Sequence, residues 1–119
     1  MEKKIFVQRL RQSFEDRYLL AERYYLILCA VNNIKLTERE IQLIAFTAIH
    51  GNMSYANVRE DFCKKYETSS PTINNMISRL KKLGILVKDN GKIKVHPAVC
   101  LKFDNDIVLN ITLSHGQTS

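Results

Sequence analysis

Much that would assign a reaction or a compartment is missing from this sequence of 119 residues. Its three cysteines, Cys29, Cys63 and Cys100, are odd in number and widely spaced. That pattern is neither a disulfide framework nor a Cys-x-x-Cys metal site. Each cysteine sits among apolar residues, so its expected role is that of a small buried hydrophobe. The histidines His50, His96 and His115 share no ligand spacing with one another or with the cysteines, and neither a metal nor another cofactor is expected. There is no glycine-rich phosphate loop, no nucleophile elbow and no pair of carboxylates near a histidine in a recognisable motif. The chain is therefore not expected to be an enzyme. An apolar run of about eighteen residues and a charged start followed by an apolar core are also lacking, so no membrane association and a cytoplasmic location are expected.

What is present is an ordinary globular composition, 45% apolar and 25% charged, with only four glycines and two prolines. A chain of this length fits one domain and buries roughly two thirds of its unfolded surface without staples. The formal charge is +6, which favours a polyanionic partner. Its distribution carries more information. Residues 54–95 hold nine Lys or Arg against four Asp or Glu, whereas residues 1–36 hold seven against four. The basic surplus is densest in the second half of the chain.

That half contains the stretch from Ser69 to Gly84, which the residue pattern predicts to be a helix. Ser70 is a good N-cap, Pro71 then falls at the first helical position, and Gly84 provides a left-handed stop. Ile73, Met76, Ile77, Leu80 and Leu83 recur at helical spacing and define a face to be buried. The opposite face carries Asn74, Asn75, Ser78 and Lys82, with Thr72 and Arg79 on its flank. Amides, hydroxyls and cations are the groups that reach base edges and phosphates in a major groove. A polar face alone is the property of any surface helix, and the flanking sequence decides the reading.

Directly after Gly84, Ile85 to Val95 reads as two β-prone runs joined through Asn90-Gly91, the strongest short hairpin signal. A two-residue type I′ loop there pairs Lys88 with Ile93 and Leu86 with Val95. Leu86, Ile93 and Val95 then face inward, and Lys92 and Lys94 point outward with Val87 and Asp89. Helix followed by hairpin is the order of a winged helix. The segment from Leu36 to Val95 resembles a winged helix-turn-helix domain of the MarR-like or related bacterial and phage regulator type. The resemblance rests on Ser69 or Ser70, Thr72, Ile73, Arg79, Leu80, Gly84, Ile85 and Leu86. It implies an α+β, mainly α fold, with a three-helix core and a β-hairpin wing.

Upstream, the pattern predicts a helical extension over 1–35, one long helix or two broken ones from about Ile5 to Val31, with Leu10, Phe14, Tyr18, Ala21, Tyr25 and Leu28 as its stripe. Its end, Tyr24 to Val31, is apolar nearly all round, and a second subunit is a natural cover. A homodimer through this helix is expected. Thr37 and Glu40 form a capping box that opens the first core helix, which runs to His50 and stops at Gly51. His50 is read as favoured there by the helix dipole. A second helix from about Tyr55 or Ala56 to Tyr66 turns Val58, Phe62 and Cys63 inward and Arg59, Lys64 and Lys65 outward. The domain is bounded at 36–96. Beyond His96-Pro97, residues 97–113 read as two strands forming a C-terminal β-hairpin, Cys100–Phe103 and Ile107–Leu113, and 114–119 as a flexible tail. MarR-like proteins continue instead into long dimerisation helices, so their dimer does not carry over.

The expected function is DNA-binding transcriptional regulation, with double-stranded DNA as partner. Thr72, Asn74, Asn75 and Ser78 are the candidate base readers, and Ser70, Lys64, Lys65, Arg79, Lys82, Lys92 and Lys94 the candidate phosphate contacts. The alternative is a phage or replication-complex assembly protein that uses the same fold for protein contacts.

Overall fold

The structure, a computed structural model, describes residues 11–116. It has α1 (Arg17–Val31), α2 (Glu38–His50), α3 (Ala56–Tyr66) and α4 (Ser70–Lys82), then strands β1 (Leu86–Asp89) and β2 (Lys92–Val95), and a 3-10 turn at Pro97–Val99. The arrangement is α+β and mainly helical, with a two-stranded antiparallel sheet.

Each helix boundary has a local cause. Asp16 caps α1 by accepting from the Leu19 N–H at 2.9 Å. The helix that ends at Val31 thus begins at Arg17: the Asp16 carboxylate satisfies an orphan donor that a longer helix would bond to its own backbone. Phe14 of the expected stripe precedes the helix, and the part of the extension over residues 1–10 lies outside the described residues. The Thr37–Glu40 capping box is present in both directions, and Gly51 ends α2 in the left-handed region at φ 84°. At the start of α4, Ser69 holds the N-cap position and Ser70 is already helical. The expected Ser70 cap is displaced by one residue, and the Ser69 hydroxyl bonds the Thr72 hydroxyl at 2.9 Å instead of a backbone N–H.

The core is the junction of α1, α2 and α4 with the sheet. Ala21, Tyr25 and Cys29 of α1 pack with Leu43, Ile44 and Phe46 of α2, Phe62 of α3, and Ile73, Ile77 and Leu80 of α4. Leu86, Ile93 and Val95 close it from the sheet, as their inward register requires. That register is Leu86 opposite Val95 and Lys88 opposite Ile93, with Asn90 and Gly91 at φ 51° and 77° as a type I′ turn demands. Between α2 and α3 the chain is stitched to β2. The Met53 N–H donates to the Ile93 carbonyl at 2.8 Å. Buried Asn52 accepts, through one Oδ1, from the Ile93 N–H, the Ser54 N–H and the Ser54 hydroxyl.

Two further expectations fail. The C-terminal β-hairpin is absent: residues 100–116 form neither strand nor helix. Period-two alternation describes a side-chain pattern, but a strand exists only by pairing. This segment instead runs along α1, where Leu109 and Ile111 border a cleft of about 150 Å³ with Tyr24, Ile27 and Val31. Cys100 is exposed, whereas Cys29 is buried and Cys63 half-buried, so the buried-hydrophobe role does not extend to Cys100. His50 stands in the last turn of α2, where the pattern places it. Its ring stacks on Phe46 at 4.1 Å, and burial lowers its pKa below the usual imidazole value. Its Nε2 lies within hydrogen-bond distance of the Tyr18 hydroxyl, at 2.9 Å.

Candidate nucleic-acid interface

Among the described helices the strongest amphipathic contrast is in α4. Ile73, Met76, Ile77 and Leu80 are buried, while Thr72, Asn74, Asn75, Ser78, Arg79 and Lys82 are exposed. Leu83, read as part of the apolar face, is exposed at the C-cap. Gly84 follows at φ 77°. Ile85 donates back to the Leu80 carbonyl at 3.0 Å and then enters the hairpin. The left-handed turn therefore fixes how β1 leaves the helix, and with it where the hairpin stands beside α4.

α3 reaches α4 through a three-residue turn. Glu67 takes φ 50°, and the Thr68 N–H returns to the Cys63 carbonyl at 3.2 Å. The two helices are also joined by a side chain that the sequence pattern turns outward toward the phosphate side. Arg59 donates through Nε to the Met53 carbonyl at 2.9 Å and through Nη1 to Oδ1 of Asn74. One guanidinium thus ties α3, α4 and the segment bonded to β2.

The candidate base readers consequently divide. Asn75 and Ser78 are exposed and make no side-chain hydrogen bond among the described residues. Asn74 is held by Arg59, and Thr72 by Ser69. The phosphate candidates divide in the same way. Lys64, Lys82, Lys92 and the Ser70 hydroxyl are exposed and have no ionic or hydrogen-bond partner among the described residues. Lys94 pairs with Asp89 at 3.1 Å. Lys65 lies over the Tyr18 ring at 4.4 Å. Arg79 turns away to an ion pair with the Glu40 carboxylate at 2.5 Å, and also donates to the Lys35 carbonyl at 3.1 Å. It couples α4 to the start of α2.

Two structural residues were missed by sequence reasoning. Asn52 had a usable signal, since Asn two residues before Ser, just past a glycine helix stop, is the pattern of an Asx-turn. Arg59 had none, because its partners are set by tertiary packing.

An apolar cavity of about 290 Å³ opens between α1, α2 and the root of the hairpin, lined by Tyr25, Leu28, Ile44, Ile85 and Val99, with Asn32 and His96 at its polar edge. Burial pushes the Tyr25 phenol far up, and its hydroxyl donates to the Val99 carbonyl at 2.7 Å. Among the described residues no cluster of three or more His, Cys, Asp or Glu is placed to hold a metal ion. No described helix is long and apolar enough to cross a membrane. Comparison with protein-family models, with curated proteins and with solved structures finds no match for this chain.

Proposed function

We propose that the chain is a winged helix-turn-helix DNA-binding regulator that reads the major groove with α4 and steadies itself on the phosphate backbone with the hairpin. One observation carries the reading. The outer face of α4 leaves an amide, a hydroxyl and a cation (Asn75, Ser78 and Lys82) unengaged by the other described residues, directly before a hairpin whose turn exposes Lys92. An amide meets an adenine edge bidentately and a hydroxyl is tolerant of several bases, so Asn75 specifies and Ser78 supports. Lys82 and Lys92, with Lys64 at the end of α3, set register on phosphates. Asn74 acts by positioning, since Arg59 holds it. In this reading the protein works as a homodimer, so that two copies of α4 meet successive half-sites.

Fluorescence anisotropy with random and genomic-library duplexes across a salt series tests this. Asn75→Ala should relax the preference at one base pair, at a cost of about 1–3 kcal/mol against the preferred sequence. Lys82→Ala should weaken all sequences alike and reduce the salt slope by about one. Unchanged binding in both variants would reject α4 as the reader.

The assembly-protein reading is favoured by a different observation: Leu19, Leu26 and Val31 of α1 and Val108, Leu109, Ile111 and Leu113 are all exposed. Weak binding without sequence preference, lost at physiological salt, would favour it.

A further inference from the structure

The segment after the 3-10 turn is pinned to α1 at one end only. Phe103 is buried edge-on against Tyr24 and Tyr25, with ring centroids 5.6 Å apart in both pairs, and Arg17 donates to the Lys102 carbonyl at 2.6 Å. Past that point no main-chain N–H or C=O of residues 104–116 finds a hydrogen-bond partner among the described residues. Yet this is the most β-prone run in the chain, with Ile107, Leu109, Ile111 and Leu113 alternating with Val108, Asn110 and Thr112. Coverage of the alternating apolar set falls along the run: Ile107 is half-buried, Leu109 is 42% exposed, Ile111 52% and Leu113 92%. The described residues cover one end of the apolar edge and leave the other bare.

We propose that residues 107–113 pair antiparallel with the same residues of a second copy of this chain, about a two-fold axis at Asn110. Other antiparallel registers that keep the apolar residues on one face leave at least one of the four without an opposite number in the run; only the register centred on Asn110 pairs all four. Centred on Asn110, Ile107 stands opposite the partner's Leu113 and Leu109 opposite the partner's Ile111, so all eight apolar side chains share one face. The exposed end of each strand then lies beside the covered end of the other. That face already rests on α1 through Leu109 and Ile111, which border the cleft with Tyr24, Ile27 and Val31. A lone two-stranded ribbon is marginal in water. Here α1 provides the layer beneath, and its exposed Leu19 and Leu26, seven residues apart and so on one helix face, meet their counterparts. The interface is isologous, as a closed dimer requires. The inference gives a surface to the homodimer of the proposed function and rests on that part of it, not on DNA binding.

Site-directed cross-linking of the full chain tests the register, in a background carrying Cys63→Ser and Cys100→Ser. Asn110→Cys places two thiols across the axis with Cβ atoms about 5 Å apart, within reach of a disulfide. Val108→Cys separates the same two thiols by roughly four strand residues, or ~13 Å, which is out of reach. With oxidised glutathione at low micromolar protein, Asn110→Cys should form covalent dimer at least about tenfold faster than Val108→Cys. Light scattering of the wild type should give a dimer mass. A monomer at high micromolar concentration overturns both the strand pairing and the homodimer. A dimer in which position 110 cross-links no faster than 108 overturns the pairing alone and leaves a helix-only dimer standing. Sequence-specific DNA binding persisting in either case leaves the reading of α4 intact.

Discussion

Arg79→Ala separates a structural cation from a DNA-binding one. The Glu40 side chain is 5% exposed and that of Arg79 50%, so the pair lies between two regimes. Removing one member of an exposed pair costs about 0–1 kcal/mol, and stranding a buried charge costs about 3–5. Glu40 keeps one donor, the Thr37 N–H at 2.8 Å, which offsets part of the loss. The expected destabilisation is therefore about 2 kcal/mol, or a fall in Tm of roughly 8 °C for a domain of this size. Glu40→Gln retains an acceptor for the capping box and loses only the charge, so about 1 kcal/mol is expected. Urea denaturation of the two single variants and the double variant gives the coupling directly, expected at about 1–1.5 kcal/mol. Arg79→Lys should recover little, because an ammonium does not span Glu40 and the Lys35 carbonyl as the planar fork does. A coupling below about 0.3 kcal/mol, together with a salt slope of DNA binding reduced by about one, would refute the reasoning. Arg79 would then face a phosphate in solution, not Glu40.

Asn52→Ala should destabilise by about 2–3 kcal/mol in urea unfolding, because the Ile93 N–H loses its acceptor inside the fold, whereas Asn52→Asp keeps that acceptor and should lose less. An equal loss in both would show that packing, not the shared Oδ1, is what matters there. Burial lowers the folded pKa of His50 from 6.5, so the folded chain binds fewer protons than the unfolded one. That contribution is fully present above pH 6.5 and is lost as pH falls toward the folded value; His50→Phe should flatten this limb of the urea midpoint against pH, and an unchanged limb would exclude His50 as its source.

What could be read in advance was the chemistry that closes within a few residues. Asn90-Gly91 selects a type I′ turn, the turn fixes the register, and the register decides that Leu86, Ile93 and Val95 face the core. Thr37 and Glu40 are three apart and bond one another's backbone, so their box is visible in the letters. The apolar spacing of α4 locates its buried face because a helix has one period. Asp16 was equally local, and was hidden because the apolar stripe continues through it to Phe14 and Leu10. By contrast, the alternation from Ile107 to Leu113 satisfies every local condition for a strand yet has no partner strand among the described residues. Pairing is a property of two segments, and only the second one was unknown.

The candidate interface was less legible than the fold, for a reason visible in its cations. A sequence counts charges, but the fold divides them. Lys64, Lys65, Arg79, Lys82, Lys92 and Lys94 all qualified as phosphate contacts, and three of them are engaged, by Tyr18, Glu40 and Asp89. With Lys64, Lys82 and Lys92 left to meet phosphates, the logarithm of the binding constant should fall against log salt with a slope of about −2.7 per protomer, and with all six about −5.4. The two values separate cleanly in the salt series of the DNA-binding test. A slope near the larger value would mean that binding releases Arg79 and Lys94 from their carboxylates. Glu40, at 5% exposure, would then lose its cation inside the complex, and affinity would carry that cost. The smaller slope is the outcome expected if α4 meets DNA without rearranging its attachment to α2.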